Sequence, residues 1–326
     1  MSIRREIQRE IGDPEQYKRQ RKICLGLELP LVGPVYRSYK PHAHRLSLLR
    51  EVIPFLGLYE VVTVRQVYYN LVSRQIINND KKEYEKVSDL LVRARLAGII
   101  DCEKIIDETR EPQRTPTWSS MEQIIRRAIE QYRSDWWDDQ ECYVEVWLEK
   151  RALSRIFFPI TDSVGITLCV GGGYQSWSGI HEASKRFDKH LNKQCKILYF
   201  GDLDPSGRDM PRDIQDRFRE LGVPVDVVEV ALSIDDVERY SLPRNPTERR
   251  AGRSREDPRR RWYIERYGID YGVELDALPP EILKNKIRQS ITGYVNVALI
   301  KRHIAVDQAQ RDNWNQVIDT IIEAIS

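Results

Sequence analysis

Two apolar runs that each end on acidic residues constrain the fold of this chain more than any other feature. The run 142–148 leads into Glu149, and the run 197–200 leads into the acidic segment 201–204, which reads GDLD. Runs of this length with β-branched and aromatic residues predict buried strands, each followed here by a predicted helix. In an open parallel sheet the ligand site lies beyond the carboxyl ends of the strands. We therefore expect the acids of both runs at one edge of a sheet.

These acids allow two interpretations. Clustered carboxylate oxygens suit Mg²⁺ or Mn²⁺, so that Glu149, Asp202 and Asp204 are candidate metal ligands. Alternatively, each acid caps the helix that follows it, a role that Asp often has. The combined pattern of Glu-Lys at 149–150 and Asp-x-Asp-Pro-x-Gly at 202–207 favours the metal site over the caps.

The same residues resemble a known family. Glu149-Lys150, the segment GGY at 172–174 and DLDPSG at 202–207 are similar to the Toprim domain, the metal-dependent catalytic module of topoisomerases, primases and some nucleases. Within it, the A subunit of topoisomerase VI and the related meiotic double-strand-break enzyme are the most similar. The resemblance implies Mg²⁺ (or Mn²⁺) held by Glu149, Asp202 and Asp204. It also implies that Glu149 is a ligand or a general acid or base, and that Lys150 pairs with a phosphate or balances the acids.

The order of predicted elements indicates an α/β fold. Strands at 142–148, 165–170, 196–201 and 225–231 alternate with helices, which is typical of a Rossmann-like parallel sheet with helices on both faces. We expect this Toprim domain to be preceded by an α-rich winged-helix domain. The predicted divisions are a helical arm and connector at 1–44, the winged helix at 45–112, a helical linker at 113–140, the Toprim domain at 141–240, and an Arg-rich loop with a helical region at 241–326.

The winged-helix prediction comes from three helices and a short hairpin. Apolar spacing predicts helices at 45–55, 63–75 and 82–97, and the run 99–110 predicts a β-wing. Thr63 and Gln66 have the spacing of a capping box at the start of the second helix.

Two adjacent tyrosines occupy different phases of that second helix. Tyr68 falls on the apolar stripe, whereas Tyr69 lies on the polar face with Arg65. The segment RQVYY at 65–69 resembles the Arg-x-x-aromatic-Tyr motif of the topoisomerase VI A family, whose second aromatic is the nucleophile. The resemblance implies that Tyr69 attacks the DNA backbone, with Arg65 supplying positive charge. The alternative is that Tyr69 is a surface residue and water is the nucleophile.

Charge distribution adds candidate DNA contacts. With 52 Lys and Arg against 50 Asp and Glu, the overall charge does not indicate a nucleic-acid partner. Basic residues are concentrated locally, which is the pattern that phosphate binding requires, although an Arg-rich loop can also be merely solvated. The candidates for DNA binding are Arg93, Arg95, Arg259, Arg260 and Arg261.

Composition also bears on location. The five cysteines have no CxxC spacing, which predicts reduced residues of a cytoplasmic protein without a zinc site. No apolar run approaches a membrane span, and no signal peptide is recognised. We expect a cytoplasmic, nucleoid-associated protein.

The predicted function is metal-dependent cleavage of double-stranded DNA, with tyrosine transesterification as one route. The alternatives are a hydrolytic Toprim nuclease of a defence or mobile-element system and a non-catalytic winged-helix DNA-binding protein. The family implies a homodimer in which the tyrosine of one subunit meets the metal of the other. No nucleotide-binding fingerprint is found, so strand passage would require a separate ATPase subunit.

Two further predictions concern the last part of the chain. The stretch 307–326 predicts a helix at a subunit contact. Glu274 and Asp276 are either further acids of the metal site or caps.

Overall fold

The amino-terminal part of the chain is mainly helical. The computed structural model describes residues 13–106, 115–171, 176–247 and 257–325. The first elements are α1 (Pro14–Leu27), α2 (Ala43–Gly57), β1 (Val62–Thr63), α3 (Val64–Ser73), α4 (Lys81–Leu96) and β2 (Ile105–Ile106). Helices α2, α3 and α4 confirm the three helices that apolar spacing predicts between 45 and 97.

Local sequence determines where α3 and α4 begin and end. The Thr63 hydroxyl accepts a hydrogen bond from the Gln66 backbone N–H (3.1 Å), and the Gln66 side chain accepts one from the Thr63 N–H (2.9 Å). This reciprocal pair is the predicted capping box. Helix α4 is followed by Gly98 with φ of +67°, where a Cβ would lie 2.4 Å from the Gly33 carbonyl oxygen. Only glycine allows the chain to turn this close to the connector that follows α1.

The predicted wing differs from what the structure shows. Strand β2 pairs in parallel with β1, through Val62 with Ile105 and Thr63 with Ile106, and Cys102–Lys104 form a 3₁₀ turn. No hairpin is present within 99–106, while residues 107–110 lie outside the described part of the chain. Ile99 and Ile100 are buried in the helical core, so their apolar character reflects packing after α4 instead of a strand.

The central part is a four-stranded parallel sheet. Helix α5 (Met121–Gln131) precedes it, and the strands then alternate with helices as the sequence predicts. The strand order is β4-β3-β5-β6. The elements are β3 (Cys142–Leu148), α6 (Ser154–Asp162), β4 (Thr167–Val170), α7 (Trp177–Asp188), β5 (Gln194–Phe200), α8 (Pro205–Glu220) and β6 (Asp226–Ala231).

Helices cover both faces of this sheet. Right-handed crossovers place α6 on one face and α7 and α8 on the other, because the chain moves in opposite directions from β3 to β4 and from β4 to β5. The remaining elements are α9 (Ile234–Arg239), β7 (Asn245–Pro246), α10 (Arg260–Tyr267), β8 (Tyr271–Gly272), α11 (Pro280–Thr292) and α12 (Val297–Ile325). Helix α11 packs on α6 and β6, and α7 packs on α8. Among the described residues, no helix has the length and apolarity that crossing a membrane requires.

One acid is buried in the middle of the sheet. Glu145 of β3 is fully buried and accepts hydrogen bonds from Tyr143 Oη (3.0 Å), Trp147 Nε1 (2.9 Å) and the Arg186 guanidinium (2.7 and 2.9 Å). Burying a carboxylate is expensive unless it is paired and hydrogen-bonded, and here both of its oxygens are satisfied. The nearby carboxylate raises the pKa of Arg186, so this guanidinium stays charged.

We expect Arg186→Met to destabilise the protein by about 2–4 kcal/mol, because it leaves the Glu145 charge without a cation. The partial exposure of Arg186 places the expected value below that of a fully buried pair. Urea unfolding followed by circular dichroism measures the loss. The control is Lys185→Met, at a neighbouring residue of α7 whose side chain is 56% exposed and whose partner is Glu182. Equal stability of the two variants would contradict this account of the sheet.

Candidate active site

The two acidic segments leave the sheet side by side. Strands β3 and β5 are neighbours, with Leu148 opposite Phe200, and the Glu149 N–H donates to the Phe200 carbonyl (2.9 Å). One oxygen of Glu149 then accepts a hydrogen bond from the Asp202 N–H (3.0 Å). The structure therefore brings Glu149 and Asp202 together at the carboxyl edge of the sheet.

Two glycines allow the chain to pack this closely. A Cβ on Gly201 would lie 2.8 Å from the Glu149 carboxylate, and one on Gly207 would lie 2.3 Å from the Asp202 carbonyl oxygen. At Gly207 the obstacle is backbone, so this position requires a residue without a side chain. At Gly201 the obstacles are the Tyr199 and Glu149 side chains, which a larger residue would displace. The lack of space for a side chain thus explains why the 202–207 motif ends on glycine.

Asp204 caps a helix. Its Oδ1 accepts hydrogen bonds from the Gly207 N–H (2.7 Å) and the Ser206 hydroxyl (3.0 Å) at the start of α8. This is the capping role that the sequence left open as an alternative. One oxygen of Asp204 is therefore committed to α8, while the residue also borders the pocket described below.

A later segment crosses the same edge and adds two acids. Leu203 and Val273 exchange two backbone hydrogen bonds of 2.9 Å each, and the Leu275 N–H donates to Asp202 Oδ1 (2.8 Å). These bonds hold the segment beside the 202–207 loop and bring Glu274 and Asp276 to the site. The two acids therefore lie beside Asp202, and neither caps a helix through its side chain, so that their role as further metal ligands stays a prediction.

Lys150 lies among three of these carboxylates. Its Nζ is 3.3 Å from Asp202 Oδ2, 2.5 Å from Glu274 Oε2 and 3.4 Å from Asp276 Oδ2. Burial alone would lower the pKa of Lys150, but the three negative charges outweigh it and raise the pKa well above its usual value. Lys150 is therefore an ammonium that holds the acids together.

Glu274 also binds a cation from the helical part. Helix α3 packs against the turn Leu275–Ala277, and Arg65 forms an ion pair with Glu274 while its Nε lies 3.8 Å from Asp276 Oδ2. One carboxylate thus bridges Arg65 of α3 and Lys150 of the sheet edge. Their positive charges lower the pKa of Glu274 although burial opposes this.

The edge has more acids than cations. Two cations, Lys150 and Arg65, lie among five acids, which are Glu149, Asp202, Asp204, Glu274 and Asp276. Burial raises the pKa of Glu149, Asp202 and Asp276, and neighbouring carboxylates add to this effect. Asp276 Oδ1 is buried and has no hydrogen-bond partner among the described residues. The negative charge at this edge is therefore incompletely balanced.

Tyr69 is buried, so the alternative that it is a surface residue is wrong. Tyr69 is only 6% exposed, and Tyr68 is buried as predicted, its hydroxyl donating to Asn79 Oδ1 (2.9 Å). Helical phase does separate the two rings, but the polar face of α3 meets the segment that holds Glu274 and does not meet solvent. Burial, followed by the charge of Glu274, raises the pKa of Tyr69, although Lys150, Arg65 and a hydrogen bond with the Asn245 side chain oppose this.

A pocket joins the helical part to the sheet edge. Its volume is about 550 Å³, and its walls include Arg65, Tyr69, Asn79, Asp204, Asn245 and Glu274. All of these residues belong to one chain. The family resemblance implies a site completed by a second subunit, whereas here a single chain brings the tyrosine to the acids.

The arginines proposed to contact DNA are mostly engaged within the chain. Arg93 and Arg95 lie in the last turn of α4, where Arg93 pairs with Asp89 (2.9 Å). Arg259 lies 3.0 Å from Asp257, and Arg260 pairs with Asp270. Arg261 pairs with Glu265 (2.9 Å), and its side chain is 90% exposed.

The expected Arg-rich loop is partly helical. Arg259 precedes the first turn of α10, and Arg260 and Arg261 begin it. The other arginines of the segment, at 248–256, lie outside the described residues.

The carboxylate oxygens of this edge are suitable ligands for a divalent metal ion, but they are not arranged as a ready metal site. Within the four described ranges, no three acid, histidine or cysteine side chains gather as a ready set of ligands. The donor atoms are nevertheless carboxylate oxygens in negative excess, the chemistry that Mg²⁺ prefers, and Asp276 has an unpaired buried oxygen. The Lys150 ammonium lies among the carboxylates that a divalent cation would bind. Binding of a cation there therefore requires the Lys150 side chain to move.

Sequence reasoning missed Asn79 and Asn245 and the bridging role of Glu274. Asn79 Nδ2 donates to Asn245 Oδ1 (2.6 Å) across the pocket. The separation of these residues along the chain left no pattern from which the contact could be predicted. Glu274 and Asp276 were noted in the sequence as candidate acids or caps, but the turn Leu275–Ala277 that brings them together was not predicted.

No protein-family model and no curated protein matches this sequence. The chemistry of the pocket is therefore the basis for assigning a function.

We expect Lys150→Met to cost about 3–5 kcal/mol of stability at pH 7.5, because it removes the cation from three carboxylates. The loss should be smaller at pH 5, since carboxyl groups with raised pKa take up protons as the pH falls and no longer repel one another. Urea unfolding at both pH values measures this difference, and Lys189→Met, at an exposed residue, is the control. A loss of equal size at both pH values would exclude this charge cluster as its cause.

Proposed function

We propose that this protein is a metal-dependent DNA-cleaving enzyme whose active site is the pocket between α3 and the carboxyl edge of the sheet. The observation that supports this most is the meeting of Tyr69 and Arg65 with the acids around Lys150. Cations, carboxylates and a hydroxyl nucleophile at one pocket are the groups that phosphoryl transfer uses. The Toprim resemblance of the acidic motifs and the winged-helix resemblance of 65–69 support the same reaction.

Glu149, Asp202 and Asp204 would hold Mg²⁺ or Mn²⁺, Asp204 through the oxygen that does not cap α8. A divalent ion at this position would supply positive charge for the phosphate oxygens and the leaving 3′ oxygen of DNA. Lys150 must withdraw from Asp202 for this to happen. Its ammonium would then be available to pair with a phosphate.

The cations of the site would bind the substrate backbone. Arg65 presents a planar guanidinium that suits a phosphate, but Glu274 now occupies it. A DNA phosphate would compete with Glu274 for Arg65 and Lys150. Substrate binding would thus exchange one anion for another without leaving either cation unpaired.

Tyr69 would act as the nucleophile in the transesterification route. Its oxygen would form the new bond to phosphorus, the phenolic proton would pass to a carboxylate of the site, and the 3′ oxygen would leave with a proton. Burial raises the pKa of Glu149, which suits it to hold that last proton as a general acid. The products are a 5′-phosphotyrosyl end and a free 3′ hydroxyl.

Hydrolysis is the second candidate, and one observation favours it. The phenol of Tyr69 is buried and its pKa is raised by burial and by Glu274, so in this arrangement it is poorly activated. Water attacking the same phosphate would give a Toprim nuclease of the defence or mobile-element kind. A non-catalytic DNA-binding role is less well supported, because it gives no reason to retain incompletely balanced acids.

Double-stranded DNA is the proposed substrate, and the helical region with α3 is its proposed winged-helix reader. Action on chromosomal DNA would place the protein at the nucleoid. Strand passage would still require a separate ATPase subunit. Cleavage of one or both strands would not require that subunit.

We expect the protein to nick or linearise supercoiled plasmid in the presence of Mg²⁺ or Mn²⁺, and Asp202→Asn to abolish cutting. If Tyr69 is the nucleophile, the cut DNA enters the gel only after protease treatment, because protein remains attached to the 5′ end. Tyr69→Phe should then lower the yield of covalent product by at least about 10³-fold, since the attacking oxygen is missing.

Tyr68→Phe is the matched control, because Tyr68 is an equally buried neighbour whose hydroxyl bonds only within the segment 78–80, to Asn79 Oδ1 (2.9 Å) and to the carbonyls of Asp80 (3.2 Å) and Asn78 (3.5 Å). It should leave the cleavage rate within about threefold of wild type. Cutting by Tyr69→Phe at the wild-type rate would assign the attack to water. The absence of cutting by the wild type with either metal would overturn the enzymatic proposal.

DNA affinity should depend strongly on salt, because each neutralised phosphate releases counterions. Replacing Arg259, Arg260 and Arg261 together with Ala should reduce the salt slope by about one, since only Arg261 is largely exposed. Fluorescence anisotropy with labelled duplex at several salt concentrations measures the slope. Arg219→Ala, at the end of α8 remote from the acidic edge, should leave it unchanged. An unaltered slope in the triple variant would remove α10 from the DNA-binding surface.

A further inference from the structure

Helix α5 and the second half of α12 pair with each other and have no buried side chains. No residue of 118–133 or of 308–323 falls in the buried class. The two helices run antiparallel. Arg126 pairs with Asp319 (2.7 Å), and Arg311 donates to the Tyr132 carbonyl (2.7 Å). We refer to residues 118–133 and 306–323 as the α5–α12 pair, in which Asp307 is the one buried residue and accepts a hydrogen bond from Trp136 Nε1 (2.7 Å).

Both helices of the pair have an apolar stripe. On α5 the stripe consists of Met121, Ile124, Ile125 and Ala128, followed by Tyr132, at helical spacing. On α12, one flank is formed by Val306, Trp314, Val317 and Ile321. No charged residue interrupts either stripe, so covering them would not desolvate a charge.

The two stripes face the same side of the pair. The partly buried residues mark the flank on which each helix meets the other: Arg126 and Ile129 on α5, and Arg311, Asn315, Ile318 and Ile322 on α12. At about 100° per residue, each apolar stripe lies roughly a third of a turn from this flank, in the same sense on both helices. Because the helices run antiparallel, equal offsets bring the two stripes to one common side. The α5–α12 pair is therefore a two-helix layer with a single apolar face.

This face is large and uncovered by the described residues. Its large apolar side chains are 36–76% exposed, with Met121 at 76% and Trp314 at 58%. The members are Trp118, Met121, Ile124, Ile125, Tyr132, Val306, Trp314, Val317 and Ile321. Amphipathic helices derive most of their stability from burying such a face, so a layer of two needs a partner.

We infer that the apolar face of the α5–α12 pair is a self-association surface, on which the same pair of a second copy packs to form an antiparallel four-helix bundle. A two-helix layer is self-complementary under a twofold axis, because each stripe meets an equivalent stripe. The bundle would cover on both copies the stripes that one chain leaves exposed.

The size of the face agrees with this occupant. Nine half-exposed apolar side chains at roughly 70–100 Å² each give about 600–900 Å² per copy, close to the ~800 Å² per partner of a stable interface. The absence of charge within the stripes is typical of the core of a homodimer interface. The inference does not depend on the proposed DNA cleavage, since the acidic pocket contributes no residue to this face.

The test is the mass of the full-length protein in solution. Sedimentation equilibrium at micromolar concentration should give twice the chain mass of 38.4 kDa. Ile124→Glu and Trp314→Glu should each weaken the dimer by about 100-fold, because a charge replaces an apolar contact at the centre of the interface. Leu25→Glu, at a residue of α1 that is 73% exposed, should leave the dimer intact. Circular dichroism shows whether each variant is folded.

A second measurement needs no variant. Hydrogen exchange of 118–132 and 308–323 should slow as protein concentration rises through the dissociation constant, while exchange in α1 stays constant. A monomeric wild type overturns the inference. If the wild type is monomeric and its α5–α12 pair is protected from hydrogen exchange, another segment of the chain covers the apolar face. If the pair of the monomer is unprotected, the face binds a different protein. A dimer that survives both glutamate substitutions overturns it as well.

Discussion

The ion pairs of Lys150 connect the parts of this protein. Its ammonium contacts Asp202 from the strand-end loop and Glu274 and Asp276 from the crossing segment, and Glu274 in turn binds Arg65 of α3. In a half-buried setting such contacts are strong because water screens them poorly. The helical region is thus held against the sheet partly by charge, and these contacts help to place α3, with Tyr69, beside the acids.

In these contacts the charged groups of the site are paired with one another. Arg65 and Lys150 already have carboxylate partners, and burial together with the charge of Glu274 raises the pKa of the Tyr69 phenol. Each group that phosphoryl transfer would use is therefore occupied by another group of the site. A divalent cation and a phosphate would relieve this together, because the first takes over the carboxylates and the second takes over Arg65 and Lys150. Binding one should favour binding the other.

Sequence predicts what is local in this fold and fails where distant segments meet. The apolar runs before Glu149 and Asp202 specify the strands, and the spacing of Thr63 and Gln66 specifies the start of α3. Helical phase separated Tyr68 from Tyr69 but could not show that the polar face of α3 meets Glu274, about 200 residues away. Asn79 and Asn245 were missed for the same reason. The expected wing failed because the isoleucines after α4 pack against helices.

Two acids four residues apart show the contrast between compensated and incompletely compensated charge in this protein. Glu145 has a hydrogen-bond donor for each oxygen and a guanidinium of its own, so its burial is fully compensated. Four residues later, Glu149 has a raised pKa because of burial and the Asp204 charge, and Asp276 nearby has an oxygen without a partner. Neutral side chains at the second site would make the fold more stable. Acids that cost stability and line a pocket are typical of a site that binds a cation or transfers a proton. This contrast between an acid within β3 and the acids at the edge of the sheet supports the proposed catalytic edge more directly than the acidic motif does alone.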